Sequence, residues 1–145
     1  MTRVAKGTDP VTIAGSIRVL RGQRVLLDAE LAALYGVPTK RLNEQVRRNL
    51  ERFPKDFLFQ LTPEEASGLR SQIATSNASS RGGRRYLPYA FTEHGAIQAA
   101  NVLNSPRAIE VGIYVVRAFV QLRQALASNA ALARKLDELE RKVDD

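Results

Sequence analysis

Residues 28–54 read DAELAALYGVPTKRLNEQVRRNLERFP, the pattern of two short helices joined by a tight turn. Asp28 is placed to cap the first helix, where its carboxylate would accept hydrogen bonds from backbone N–H groups. Gly36 is placed to end that helix, because glycine readily adopts the left-handed conformation that often follows a helix C-terminus. The stretch therefore predicts a helix-turn-helix-like pair, an arrangement that can offer its second helix to the major groove of DNA.

The second helix, expected over about residues 38–53, has one apolar side and a basic remainder. Its apolar residues recur at spacings of four, four and three, which predicts one buried stripe of Leu42, Val46, Leu50 and Phe53. Residues 40–55 hold six basic and two acidic residues, so more than half of the net charge of +7 lies on sixteen residues. Such a patch favours a polyanionic partner, with nucleic acid ahead of an anionic membrane surface.

Double-stranded DNA is the partner that this helix would suit. The cations would meet the two phosphate strands, and the expected phosphate contacts are Lys40, Arg41, Arg47, Arg48 and Arg52. Asn43 and Gln45 are the candidates for reading base edges, because amides can address adenine with two hydrogen bonds. The alternative is a solvated helix face with ion pairs four residues apart, Glu44 with Arg48 and Glu51 with Lys55.

The remaining pattern predicts a small α+β domain with a short β-hairpin and sheet, the helix pair, and a long C-terminal helix. Residues 1–15 are expected to be a flexible arm, residues 16–126 the folded domain and residues 127–145 a helical tail. Within the domain we expect a hairpin over residues 17–27, a strand over 55–61, a helix from Thr62, a mobile loop over 72–85, extended chain over 86–91, and helices starting near Thr92 and Ser105.

The tail has a heptad-like spacing of four, three and four between Leu132, Leu136, Leu139 and Val143. That pattern favours a homodimer through a coiled coil, although it is shorter than three heptads. Upstream, Leu122 and Leu126 do not continue the register cleanly and Asn129 intervenes. A frayed amphipathic helix is therefore the alternative, and a protein-interaction module acting through this helix is the second functional hypothesis.

The composition argues against several classes of protein. Cysteine is absent and His94 is the only histidine, so there is no thiol nucleophile and no metal-ligand spacing of the Cys/His type. There is no phosphate-binding loop motif, and Thr92 and Glu93 beside His94 are first a helix-start signal. We expect no enzyme, cofactor, metal or small-molecule substrate, and, with no long apolar run or secretory signal, a cytoplasmic location without membrane association. An acidic nuclease site assembled by the fold stays open, as does RNA binding.

Three blocks of sequence closely resemble the KilA-N DNA-binding superfamily, and within it the phage open-reading-frame-six N-terminal domain. They are LYGVPTKRLNEQVRRN, RFPKDFLFQLT and GGRRYLPYAFTEHGA, and the likeness spans about residues 17–124. The resemblance implies a small α+β DNA-binding domain of phages, prophages and bacteria, and hence a transcriptional regulator. Such domains are often joined to a variable C-terminal module; only a helical tail follows here, and we expect no separate effector domain.

A second basic segment overlaps the start of the third of these blocks. Arg81, Arg84 and Arg85 flank Gly82 and Gly83 in the expected loop. A flexible basic loop can follow a phosphate backbone or enter a minor groove, so these three arginines join the candidate DNA contacts. An ordinary solvated loop is the alternative.

Overall fold

The computed structural model describes residues 9–72 and 87–144, and within them the predicted α+β class is confirmed. The helices are α1 (Pro10–Ala14), α2 (Asp28–Tyr35), α3 (Thr39–Arg48), α4 (Pro63–Gln72), α5 (Glu93–Leu103) and α6 (Pro106–Asp144). The strands are β1 (Arg18–Leu20), β2 (Gln23–Leu27), β3 (Leu58–Gln60) and β4 (Tyr89–Phe91). None of these helices combines the length and apolarity needed to cross a membrane.

The four strands form one antiparallel sheet in the order β1-β2-β4-β3. Arg21 and Gly22 connect β1 to β2, and both have positive φ, which is the signature of a tight hairpin turn. Successive side chains of a strand point to opposite faces. Leu26, Leu58 and Phe91 accordingly join the main core, while Val25, Leu27 and Ala90 join a smaller core that includes Ala66 of α4.

Most of the predicted helix starts are confirmed in detail. Thr62 and Glu65 form a reciprocal capping box: Glu65 N donates to Thr62 Oγ1 at 3.1 Å, and Thr62 N donates to Glu65 Oε1 at 2.8 Å. Thr92 Oγ1 accepts from Gly95 N at the start of α5, and Ser105 Oγ accepts from Ala108 N at the start of α6. The start of each helix is thus fixed by the local sequence.

The N-terminal arm needs a correction. Asp9 caps α1 through a hydrogen bond from Thr12 N, and Ile13 is buried in the main core, with α1 packed against α6. Residues 9–15 therefore belong to the folded body, because one apolar side chain finds a place between helices. Residues 1–8 lie outside the described residues.

The turn between α2 and α3 is held against the beginning of α6. Gly36 has φ 74°, and a Cβ atom added there would lie 2.5 Å from Cδ of Arg107. Arg107 Nε also donates to the backbone oxygen of Leu34 at 3.1 Å. The orientation of α3 is therefore tied to the first turn of the long helix.

Candidate nucleic-acid interface

Helix α3 is anchored to the domain by one side only. Leu42 and Val46 are buried in the main core, and α3 packs against α2 and α5. Tyr35, at the end of α2, is also buried, and its hydroxyl donates to the backbone oxygen of Ala96 at 2.7 Å. Burial raises the pKa of this phenol, so it stays protonated as a donor. The helix thus rests on a fixed platform with its other side turned outward.

Asn43 lies on the buried side of α3, and this corrects its expected role in base reading. Its side chain is only 5% exposed, and its Nδ2 donates to Oδ2 of Asp28 at 3.0 Å. The same Oδ2 atom accepts from the backbone N–H of Tyr89 at 3.1 Å. Asn43 therefore points into the domain, where a DNA base cannot reach it.

Asp28 also differs from its expected role as a helix cap. Leu27 occupies the cap position, and Asp28 is the first residue of α2, fully buried. Its Oδ1 accepts from Ala29 N at 2.7 Å, while its Oδ2 joins α3 to β4. This buried carboxylate therefore connects the start of α2, the middle of α3 and the sheet, and so positions the candidate interface.

The outward side of α3 carries exposed cations that have no ion-pair partner among the described residues. The exposed residues are Lys40, Arg41, Arg47 and Arg48, with Arg52 just beyond the helix. None of the five forms an ion pair with any residue in the two described ranges. The pairs required by the alternative interpretation, Glu44 with Arg48 and Glu51 with Lys55, are likewise not formed there. The positive charge of this surface is therefore offered to the exterior.

The cations lie in two rows along α3. At 100° per residue, Lys40 and Arg47 align on one side of the exposed arc, and Arg41 and Arg48 align about 100° away. Glu44 falls between the rows, and partly exposed Gln45 falls beside the second row. The centre of the arc is thus occupied by the carboxylate of Glu44. This residue was not among the candidate base readers predicted from the sequence.

The predicted helix over residues 38–53 is too long at its C-terminal end, because the α-helix stops before Asn49. Asn49 Nδ2 donates to the backbone oxygen of Gln45 at 2.8 Å, while its own N–H donates to Val46. The chain then tightens into a 3₁₀ turn, Leu50–Arg52, because asparagine favours such local side-chain bonds over a continuing helix. Leu50 is consequently 57% exposed instead of buried, and Arg52 leaves the row of Arg41 and Arg48.

The turn that carries Arg52 is nevertheless fixed to the domain. Phe53 is buried and meets Phe91 edge to face, with ring centroids 6.3 Å apart. Gln98 Nε2 of α5 donates to the backbone oxygen of Arg52 at 3.2 Å. The fifth cation therefore has a defined position next to α3.

Three arginines elsewhere in the described residues are neutralised by carboxylates of the domain. Arg21 makes two parallel bonds of 2.9 Å to the carboxylate of Glu65 and lies 4.2 Å from the ring centroid of Phe59. Hydrogen bonds from Arg21, and then from the backbone of Thr62, lower the pKa of Glu65 to about 2. Arg18 pairs with Glu30 at 2.9 Å, and Arg123 pairs with Glu93.

The remaining candidate residues belong to the basic segment of residues 81–85 and to the C-terminal part of α6. Arg81, Arg84 and Arg85 lie outside the described residues, as does the side chain of Val143. Leu132, Leu136 and Leu139 lie on α6 with more than half of each side chain exposed. They lie beyond Phe119, the last buried residue of α6 among the described residues.

A pocket lies beside His94, the single histidine of the chain. The pocket, of about 330 Å³, is lined by Arg24, Asp56, Glu93, His94 and Arg123, among others. Glu93 is engaged by Arg123, and the exposed His94 ring stacks on Phe57 with centroids 5.4 Å apart. No group of acidic or histidine side chains among the described residues is arranged to hold a metal ion.

Comparison with known proteins gives one family. The ORF6N domain family matches residues 15–102, which is more than half of the chain and spans β1 through nearly all of α5, including α2 and α3. No significant match was found among curated proteins or solved structures.

Proposed function

Because the chain belongs to the ORF6N family, we propose that it is a phage-type DNA-binding protein that regulates transcription. In this proposal α3 lies in the major groove of double-stranded DNA. The resemblance of its sequence blocks to the KilA-N superfamily supports the same partner. An α-helix with side chains is about 10–12 Å across, and the major groove is about 12 Å wide, so one exposed helix can enter it.

The observation that carries the proposal is the set of exposed cations on and beside α3 that form no ion pair within the described part of the chain. Holding several positive charges together costs repulsion unless an anion neutralises them, and no carboxylate of the described residues, including Glu44, forms an ion pair with any of these five cations. Two rows of cations on either side of one arc suit the two phosphate strands that border a groove. Phosphate contacts are accordingly assigned to Lys40, Arg41, Arg47, Arg48 and Arg52.

Base reading is assigned to Glu44 in the middle of the arc and to Gln45 beside the second row of cations. Gln45 keeps the role expected from sequence, since its amide can address adenine. Glu44 replaces Asn43 as the second candidate, because a carboxylate can accept a hydrogen bond from the N4 amino group of cytosine. A carboxylate between cations also weakens binding to DNA that lacks the matching base, which is a device for specificity.

Salt titration of duplex binding tests the proposal. Arg41, Arg47 and Arg48 are replaced together by Ala, and we expect the slope of log K against log salt to fall by about three units. The matched control replaces Arg18, Arg21 and Arg123, the internally paired arginines, and so removes the same formal charge. The control should lose less than one unit of slope. Equal losses in the two variants would remove α3 from the interface.

Two other functions are separated by simple measurements. We propose no catalytic role, so plasmid DNA incubated with Mg²⁺ should stay intact; cleavage abolished by replacing a carboxylate would refute this. RNA binding would be indicated if single-stranded RNA competed as well as duplex DNA.

A protein-interaction module is the second candidate function, favoured by the exposed leucines of α6. Deleting residues 130–145 separates the two candidates, since these residues follow the last buried part of the helix. A DNA-binding protein should retain weaker DNA affinity after the deletion. A module that works only through its terminal helix has no DNA affinity to retain.

A further inference from the structure

The long helix α6 has two halves of opposite character. In its first half, the domain buries Ala108, Val111, Val115 and Ala118, none of which is more than 5% exposed. Helices α1, α2 and α5 pack against this half. In the second half, every side chain of residues 123–140 is exposed. Half of one continuous helix is therefore covered, and half is bare.

The buried half sets a register that continues into the bare half. Four of its buried residues are spaced three, four and three apart, the a and d positions of a heptad abcdefg, and the other two, Gly112 and Phe119, lie at e positions. Continuing the same alternation places Leu122, Ala125, Asn129, Leu132, Leu136, Leu139 and Val143 at successive a and d positions. The expected break near Leu126 disappears, because Ala125 occupies the d position and Leu126 lies beside it at e.

We propose that a second copy of this chain covers the bare half, forming a parallel, in-register, two-stranded coiled coil over residues 122–143. Leucines at d, with Leu132 and Leu139 each about half exposed, provide the apolar seam. Three heptads bury enough of such a seam for two helices to associate, whereas a single exposed helix of this kind has nothing to cover it.

Asn129 specifies the orientation. It lies at an a position, and in a parallel pair each a residue faces the same residue of the other copy, so the two Asn129 amides can hydrogen-bond to each other. In an antiparallel pair an a residue faces a d residue, and Asn129 would be buried against an apolar side chain. A buried amide without a partner costs about 1–3 kcal/mol. A single asparagine at an a position is known to fix register and strand number in this way.

The flanking charges make the second copy a better partner than an unrelated helix. Lys135 lies at g and Glu140 lies at the following e position, five residues later. These are the two positions that meet across a parallel dimer, so Lys135 of each copy faces Glu140 of the other. The same chain therefore provides both halves of the charge pair, and does so twice per dimer.

Mass measurement in the absence of DNA tests this inference independently of the proposed function. The wild-type protein should sediment at twice its chain mass of 16.0 kDa. Leu136→Glu, at an a position, should raise the dissociation constant at least about tenfold. Ala127→Glu, an exposed residue on the outer f position, is the matched control and should remain dimeric. A wild-type protein that is monomeric at all concentrations, or trimeric, would overturn the inference.

Cross-linking tests the register, using the natural absence of cysteine. Asn129→Cys should form a disulfide between copies on mild oxidation, because the two positions would face each other across the seam. Ala127→Cys should not form one at the same concentration. Equal cross-linking of both variants, or of neither, would contradict a parallel in-register pair.

Discussion

The hairpin and α3 both carry arginines, and the two regions use them in opposite ways. Two of the hairpin's three arginines, Arg18 and Arg21, each meet a carboxylate of another element, Glu30 and Glu65 respectively, whereas Arg24 forms no ion pair with the described residues. Arg41, Arg47 and Arg48 of α3 meet none in the described residues. Total charge is therefore a poor guide to the interface. What distinguishes the two regions is that most of the hairpin arginines have a carboxylate partner within the described residues and none of the α3 cations has one.

The same distinction separates the two sides of α3. Asn43 has its partner inside, at Asp28, and serves the fold. Gln45 and the cations on the outward side are available to a ligand. Polar groups with internal partners should therefore affect stability when removed, and those without should affect binding. Three further predictions test this rule.

The largest effect is expected from Asp28→Ala. This change leaves the donors of Asn43, Tyr89 and Ala29 without the buried carboxylate that accepts their hydrogen bonds. We expect the free energy of unfolding to fall by about 3–5 kcal/mol, measured by urea denaturation. At a temperature where the variant remains folded, the salt slope of DNA binding should be unchanged. If the folded variant lost the salt dependence of DNA binding, the two sides of α3 would not have separate roles in stability and binding.

A smaller effect, and a gain in DNA affinity instead of a loss of stability, is expected from Glu44→Gln. Removing the negative charge from between the two cation rows should raise the affinity for random duplex DNA severalfold at low salt. The stability should change little, because Glu44 makes no ion pair with the described residues. Affinity is measured by fluorescence anisotropy, with Glu64→Gln on the exposed start of α4 as the control. If both variants bound equally tightly, the effect would be one of total charge and not of position.

The smallest effect concerns the paired region and pH. The pKa of Glu65 in the folded protein is about 2, against an ordinary value of 4.5, so the unfolded chain binds the proton more readily. The resulting contribution to stability is complete above about pH 5 and is lost as the pH falls towards 2. Arg21→Ala should flatten this part of the curve of unfolding midpoint against pH, and should leave DNA binding unaltered. An unchanged curve would show that the Arg21–Glu65 pair does not set this pKa.

Local signals in the sequence were sufficient for most elements. The capping residues Thr62, Thr92 and Ser105 lie within three residues of the groups they bond, so the starts of α4, α5 and α6 were predictable. The failures involve distant partners. Asp28 bonds to Tyr89, 61 residues away, and the burial of Ile13 depends on α6, so neither role is visible in a local pattern.

The prediction of the candidate site also succeeded where the signal was local and failed where a distant partner decided the outcome. The cations of α3 were identified because charge and helical spacing are local properties of sequence. Asn43 was misassigned because its partner comes from another helix, and the continuation of the tail register became apparent only once the buried face of α6 was known. Arg52 was displaced by one side-chain bond of Asn49 that competes with the helix.

The uninterrupted course of α6 has a mechanical consequence. The turn before α3 is held on Arg107, and no glycine or proline follows Gly112, so the helix can act as a stiff rod to which the outward surface of α3 is attached. One residue inserted into the rod would rotate that surface by about 100° about the helix axis, whereas seven would rotate it by only about 20°. The number of residues in α6 therefore sets the rotation of the surface of α3 relative to the C-terminal end of the helix.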